Sequence, residues 1–413
     1  MRDKRVIGVI GGGAAGLSAA VMAARRGGAV RLFEKQPRVG RKLLATGNGT
    51  CNLSNLHASP EHYHGGDPGF VFPALRAFSP QDAMAFFASI GVPCTVRENG
   101  RIYPIVEQAS AVLDALRFEA EALGVQMLTD TAVTAIVPRQ DGVRLQTTVG
   151  AFDVSCVLVA VGGAASGRLG GSADGYRLLT AIGHEKTPLF PSIVQIKTAK
   201  DPVRPLKGLR LDAALTLCLD GKAAATSEGE VLFADYGLSG PAAMEIGRVA
   251  ADWERRKQGH MTVSIDLLPG IVAPDLLDML TKRRALPGRT LDRWLIGLLP
   301  KALGQTLLKV AGVQPLSRMA DSVTDAELRV LTDIIKGWML PVEGAAGMDA
   351  AQVTAGGVKT AGFDPATMRS RRCPFVYAAG EVLDIDGDCG GYNLQWAWAS
   401  AHAAVTAMTE ERT

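Results

Sequence analysis

No stretch of about eighteen apolar residues free of charge occurs in this chain, so a membrane-spanning helix is not expected. No C-x-x-C pair occurs either. The six cysteines, Cys51, Cys94, Cys156, Cys218, Cys373 and Cys389, are spaced neither as a disulfide framework nor as a metal-ligand set. Reduced thiols and a cytoplasmic location are therefore the expectation. Net charge is nearly lacking: 44 Lys and Arg stand against 41 Asp and Glu, leaving +3, which argues against a nucleic-acid partner. Low-complexity segments and internal repeats are missing. With 47% hydrophobic and 21% charged residues, the composition excludes a disordered chain and suits about two or three globular domains. The basic start, residues 1–5, imitates a secretory signal. The apolar run behind it is broken by glycines at 11–13 and leads into a helix, so the segment reads as mature structure.

What the chain has in quantity is glycine: 47 residues, clustered at 11–13, 27–28, 47–49, 162–163, 170–171, 356–357 and 390–391. Such clusters permit tight turns and close approach of backbone to a ligand, and their placement after apolar runs favours ligand cradles over ordinary loops. Residues 6–10 (VIGVI) read as a buried strand, 14–26 as an Ala-rich helix stopped by Gly27-Gly28, and 29–34 (AVRLFE) as the next strand. That is a βαβ unit, which implies a parallel sheet. Residues 110–123 predict a helix with Ser110 as N-cap, 125–137 and 142–149 predict strands, and 157–161 predict an apolar strand ending at Gly162-Gly163. From about 190 the texture changes. Alternating segments such as 213–219 and 261–267 predict a more antiparallel body. A helical stretch over roughly 274–340, interrupted at Pro287, Pro300 and Pro315, follows. Near 350 the glycine-rich style returns, with a strand at 375–379 before Gly380-Glu381 and a helix from about Leu394. The expected class is α/β: a Rossmann-like domain in two parts, residues 1–190 and 345–413, interrupted by a β-rich plus helical domain at 191–344.

The most specific motif is Gly11-Gly12-Gly13-Ala14-Ala15-Gly16, a G-x-G-x-x-G that follows a strand and opens a helix, with Glu34 at the end of the second strand. That context is what the dinucleotide fingerprint requires. Gly11 permits the turn, Gly13 lets backbone approach a pyrophosphate, and Gly16 lets helix and strand pack closely. The helix N-terminus offers free N–H groups to phosphate, and Glu34 can accept from ribose hydroxyls. The basic positions Lys35, Arg38, Arg41 and Lys42 either form a solvated loop or help neutralise the pyrophosphate. The fingerprint alone leaves the dinucleotide open between FAD and NAD.

Residues 157–163, 375–381 (FVYAAGE) and 390–398 (GGYNLQWAW) resemble elements of glutathione-reductase-type FAD folds. Together with 40–52 (GRKLLATGNGTCN) and with 230–233, 237–241 and 354–358, they make the whole chain similar to the bacterial NAD(P)/FAD-dependent flavoproteins. That group includes aminoacetone-oxidase-like and bile-acid dehydro-steroid-reductase proteins. The resemblance implies FAD as cofactor. It places Ala14, Ala15, Gly47, Asn48, Gly49, Val133, Gly162, Gly163 and Gly380 along the cofactor, Glu381 at the ribityl chain, and Gly391, Tyr392, Asn393 and Leu394 at the flavin pyrimidine end. A helix N-terminus there would stabilise the negative charge of reduced flavin. Thr50 stands where the family often has Arg, and Cys389 where a less reactive residue is common. The implied chemistry is hydride transfer between flavin N5 and a small organic substrate in a domain cleft. Residues 162–167 lack fingerprint spacing, so NAD(P)H would act as a transient reductant over the flavin. The insert is expected to set substrate choice, with the 237–241 turn reaching the cleft. Arg101, Tyr103 and Tyr392 are catalytic candidates by the family's layout.

Other readings are an amine oxidase passing electrons to oxygen, a flavin-dependent RNA-modifying enzyme, and a non-enzymatic redox sensor. Oligomeric state is not indicated. Three further groups read as structural. Asp384, Asp386 and Asp388 lack the Gly and Glu that a calcium loop needs at its sixth and twelfth positions, where Cys389 and Gln395 stand, and form a polar turn. His57, His62 and His64 form a solvated loop rather than a zinc site. Cys51 and Cys389 are packed thiols.

Overall fold

The computed structural model describes residues 5–410, so the expectation for the first four residues lies outside the described residues. The described chain forms two compact units. One combines residues up to Phe190 with those from Ala351 onward, and the other spans Pro191–Ala350.

The first unit is built on β1 (Val6–Ile10), α1 (Ala14–Arg25) and β2 (Ala29–Phe33). A five-stranded parallel sheet runs in the order Val376–Ala378, Cys156–Val159, β1, β2, Gln126–Leu128. All four residues of Cys156–Val159 are buried, as expected of a strand covered on both faces. One layer is α1 and the helix Tyr392–Glu410, which lie side by side. Their alanines (19, 20 and 23 on one, 399, 401 and 404 on the other) are fully buried and let the two backbones approach closely. The other face carries the three-stranded antiparallel sheet Val133–Arg139, Gly142–Thr147, Gly150–Val154. Two small sheets complete the unit. Tyr63–Gly65 pairs with Ile385–Gly387, and Ser54–Asn55 pairs with Arg101–Pro104, which pairs with Cys94–Val96.

The second unit is a closed barrel of six strands: Ile196–Thr198, Gly237–Ser239, Lys222–Ala234, Arg210–Leu219, Met261–Asp266 and Trp338–Ala345. Leu215, Leu217, Phe233, Val263, Ile265 and Leu340 fill its interior. Helices Ala273–Arg284, Leu291–Trp294, Lys301–Val310 and Asp325–Lys336 pack against it, and Pro287, Pro300 and Pro315 fall at their breaks.

Four local expectations are corrected. The helix expected from Ser110 begins at Ala109 after Gln108, with no side-chain cap, because Ala109 is buried and belongs to the packed face. The strand expected over 125–137 is two strands in two sheets. Asp130 takes a left-handed turn (φ 51°), and the turn is held by Asp130 N and Thr131 N donating to Gln36 O and Glu34 O. The helical stretch ends earlier than 340, since residues 338–345 alternate buried and exposed and close the barrel. Residues 237–241 are not a turn. Gly237–Ser239 is a barrel strand leading into helix Pro241–Arg256.

His184 is buried, stacked on Phe363 at 4.4 Å, with its Nε2 2.8 Å from Ser370 Oγ. Burial, then the nearby Arg372 charge, lowers its pKa from 6.5 to about 4. The folded state therefore binds this proton more weakly than the unfolded chain. Its contribution to stability is intact above pH 6.5 and is lost as pH falls toward 4. Urea unfolding at pH 7 and pH 5 should show a smaller acid loss for His184→Gln than for the wild type. Equal losses in the two proteins would remove His184 from the account.

Candidate functional site

Three chain segments end together at the carboxyl edge of the parallel sheet. Ile10 pairs in register with Val159, and Val159 with Ala378, so the segments that follow lie side by side. They are Gly11–Gly16, Gly162-Gly163 and Gly380-Glu381. In open α/β sheets this edge is where ligands bind.

The glycine turn is fixed by close approach. Gly11 has φ 102°, and a Cβ there would lie 2.5 Å from Ala160 O. A Cβ on Gly16 would lie 1.8 Å from Gly11 O, so no side chain fits between turn and helix. At Gly13 a Cβ would meet nothing within 4 Å, because that face of the turn is open. Ala14 and Ala15 open α1 beside it. Glu34 secures the turn, Oε2 accepting from Gly12 N at 2.7 Å and Oε1 from Gln36 N at 2.8 Å.

The basic residues after Glu34 have separate partners. Lys35 pairs with Asp174 at 2.8 Å, and this bond is the main cause holding the Asp174 carboxyl at about 2. Arg41 donates to Gln36 Oε1 and Arg168 O. Lys42 pairs with Glu381 at 2.9 Å. Glu381 Oε1 also accepts from Thr354 N at 2.9 Å, and a Cβ on Gly163 would lie 2.2 Å from that oxygen. Gly47, Asn48 and Gly49 form a left-handed turn closed by Thr50 Oγ1 donating to Gly47 O, and Cβ atoms on Gly49 or Gly162 would meet nothing within 4 Å. Val133 is buried at the start of its strand. Gly380 N donates to Ser400 Oγ on the long helix.

That helix begins at Tyr392. Asn393 bonds both N and O of Gly387, so the strap before the helix is held as part of its first turn. Gln395 is fully buried, accepting from Ser54 Oγ and donating to Phe78 O. A Cβ on Gly391 would lie 2.7 Å from Asn52 Oδ1, a buried acceptor with no hydrogen-bond donor among the described residues. Asn52 was within reach of the sequence, in the 40–52 segment, but only the fold turns it toward Gly391.

Two structural readings of the sequence are overturned at this end. His62 and His64 are not in a solvated loop. His62 Nδ1 lies 2.9 Å from Asp388 Oδ2 and His64 Nε2 2.7 Å from Oδ1, because strand Tyr63–Gly65 pairs with Ile385–Gly387. His62 also stacks on Tyr392 at 4.3 Å. Burial raises the Asp388 carboxyl, but the hydrogen bonds from His64 and His62 outweigh it and hold the group below its ordinary range. Asp384 and Asp386, expected in a polar turn, are both buried, and Asp384 accepts from Gly66 N. Cys51 is fully buried, and that burial pushes its thiol up to about 12 despite a lowering bond from Thr46. It is no thiolate at neutral pH. Arg101 and Tyr103 lie on one strand, and a Cβ on Gly390 would lie 3.4 Å from Arg101 Nε.

The model of the HI0933-like protein Rossmann domain family matches residues 5–407. The chain belongs to this family. A relative from Clostridium scindens, the 3-dehydro-bile acid delta(4,6)-reductase, is 37% identical over 98% of this chain and 99% of its own. A ribosomal RNA dihydrouridine synthase from Haemophilus influenzae is 30% identical over 98% of each chain. Among solved structures, the 3-ketosteroid delta1-dehydrogenase of Sterolibacterium denitrificans shares the fold, with TM-score 0.51 at 12% identity over 99% of this chain and 100% of that one. Within the HI0933-like family this chain is an oxidoreductase. No helix among its described residues is long and apolar enough to cross a membrane, and no three side chains among them are arranged to hold a metal ion.

Proposed function

We propose that the protein reduces a carbon–carbon double bond conjugated to a carbonyl in a small organic substrate, drawing electrons from NAD(P)H through FAD. The observation that carries the cofactor's placement is the meeting of three features at one sheet edge: the open face at Gly13, the Glu381 carboxylate and the start of helix Tyr392–Glu410. The residues present fit an FAD molecule laid along this edge. Gly11, Gly13, Ala14, Ala15 and Gly16 would face the pyrophosphate, and Glu34 and Val133 the adenosine end. Glu381, braced by Lys42, would face the ribityl chain together with Gly162, Gly163 and Gly380, and Gly47, Asn48 and Gly49 the ring. Asn52 Oδ1 is a buried acceptor lacking a donor, which costs about 1–3 kcal/mol unless a partner arrives. The imide N–H of a flavin is such a partner.

When bound, FAD supplies a two-electron hydride chemistry that no side chain offers. The chain's own contribution is orientation and electrostatics. The dipole at the N-terminus of helix Tyr392–Glu410 favours negative charge at the pyrimidine end. Buried Gln395 and the Asn393 bonds keep that helix end from shifting. Lys35 and Arg41, each bonded to protein, brace the loop after Glu34 instead of offering free charge to phosphate.

The substrate class is supported by the names of the relatives. A delta(4,6)-reductase acting on a 3-dehydro bile acid reduces double bonds conjugated to a ketone. A dihydrouridine synthase reduces the uracil double bond, which is also conjugated to a carbonyl. The second case supports an alternative in which the unsaturated ring is part of RNA. A net charge of +3 offers little general attraction to phosphate, so the small-molecule reading is preferred.

Anaerobic holoenzyme mixed with NADH or NADPH should lose its flavin absorbance, and 2-cyclohexen-1-one or 4-androstene-3,17-dione should restore it with formation of the saturated ketone. Restoration by uridine-containing RNA alone would replace the substrate class. Bleaching by an amine and restoration by oxygen, with no effect of any enone, would make the protein an oxidase and sink the proposal.

A further inference from the structure

Arg101 opens the strand Arg101–Pro104, directly across from Asn55. It is half-buried, and its guanidinium makes no hydrogen bond or ion pair among the described residues. Potential partners nearby are already engaged. Asn55 is buried, its Nδ2 donating to Gly390 O at 3.0 Å and to Asn99 O, and its Oδ1 accepting from His57 N. Asp388, two residues before Gly390, is taken by His62 and His64. Arg97, on the other side of the same hairpin, pairs with Glu107. The free cation is aimed at the turn before the long helix: a Cβ on Gly390 would lie 3.4 Å from Arg101 Nε and 3.4 Å from Tyr392 Cε2. A half-buried charge without a partner is costly, and this one lies beside the residues assigned to the flavin ring.

We propose that Arg101 holds the substrate oxygen that becomes negative during reduction. The inference rests on the reductase reading above. Addition of hydride to the carbon remote from the carbonyl breaks the C=C π bond, and that electron pair passes through the carbon next to the carbonyl onto oxygen, forming an enolate. A proton from water then closes the carbon next to the carbonyl, and the two electrons come from the reduced nicotinamide nucleotide by way of FAD. Arginine stays protonated throughout the working pH range, so Arg101 acts as a fixed cation and not as the proton donor. Its planar set of N–H groups suits an oxygen that gains charge in the transition state, where one such donor is worth about 100- to 1,000-fold in rate. The substrates selected are those with an oxygen conjugated to the reducible bond, and carboxylates and phenolates of similar size should compete.

The test uses 4-chlorophenolate, a stable mimic of an enolate, titrated into oxidised holoenzyme while the long-wavelength charge-transfer absorbance of a phenolate on flavin is followed. Wild type should bind it. Arg101→Gln should weaken binding about 10- to 150-fold, the range of a charged hydrogen bond. Arg101→Lys, which keeps the charge but not the fork, should weaken it less. FAD content should match wild type in both variants. With an enone, Arg101→Gln should lower kcat far more than it raises KM. Equal phenolate affinity in wild type and Arg101→Gln overturns the proposal, as does absence of binding to wild type. Loss of FAD from both variants also overturns it, by assigning Arg101 to the cofactor. Arg101-dependent phenolate binding in an enzyme that reduces no enone would uphold the anion site and discard the reductase reading.

Discussion

Gly13→Val should yield a folded, colourless protein, whereas Gly16→Val should yield one that is both colourless and unstable. The two glycines are three residues apart and belong to one motif, yet their surroundings differ. A Cβ on Gly16 would lie 1.8 Å from Gly11 O, a backbone atom that cannot swing aside. The turn and α1 would have to separate, and overpacking of this kind costs about 1–3 kcal/mol or more. For domains of this size that lowers Tm by roughly 2–4 °C per kcal/mol. A Cβ on Gly13 would meet nothing within 4 Å, and its φ of −84° suits any residue, so the apoprotein should melt within about 1 °C of wild type. The space a valine would fill there is the space proposed for the pyrophosphate, so FAD affinity should fall more than about 100-fold. Absorbance of the purified protein, FAD titration by flavin fluorescence and apoprotein melting read all three effects. Normal FAD binding by Gly13→Val would show that the dinucleotide does not cross this turn.

That pair also marks what a sequence can reveal here. The strand, turn, helix and second strand are contiguous, and each is set by local chemistry: β-branched residues in β1, alanines in α1, glycines where backbone meets backbone. The fold class follows from them. What stayed hidden depends on partners far apart in sequence. Lys42 follows Glu34 closely and looks like part of a basic loop, but its partner is Glu381, 339 residues away. His62 and His64 are polar residues in a glycine-containing loop, and only pairing with residues 385–387 turns them onto Asp388. The break at Asp130 was equally illegible. Residues 125–137 are apolar enough for one strand, and it takes the neighbouring loop, through the carbonyls of Glu34 and Gln36, to fold the chain from one sheet into another. The unpaired state of Arg101 is a property of everything around it, and no motif announces it.

The second large effect is expected at Glu381, and its sign depends on which partner is removed. A carboxylate oxygen accepts about two hydrogen bonds. Oε1 takes two, from Thr354 N and Lys42 Nζ, while Oε2 takes one, from Lys42 Nζ, and keeps an open lone pair. That lone pair is the acceptor proposed for a ribityl hydroxyl, so Lys42 need not be displaced when FAD binds. Glu381→Ala removes the acceptor, leaves Lys42 without its counter-ion and leaves the N–H of fully buried Thr354 unpaired. FAD affinity should fall about 10- to 150-fold and the apoprotein should lose about 1–3 kcal/mol. Lys42→Met spares both the carboxylate and its open lone pairs. The apoprotein should again be destabilised, since a partly buried carboxylate loses its partner, but FAD affinity should stay within about threefold of wild type, or rise. Calorimetric melting of the apoproteins and FAD titration separate the two variants. If Lys42→Met lost FAD as severely as Glu381→Ala, the lysine itself would be a cofactor ligand, and the ion pair would be a state that FAD must open.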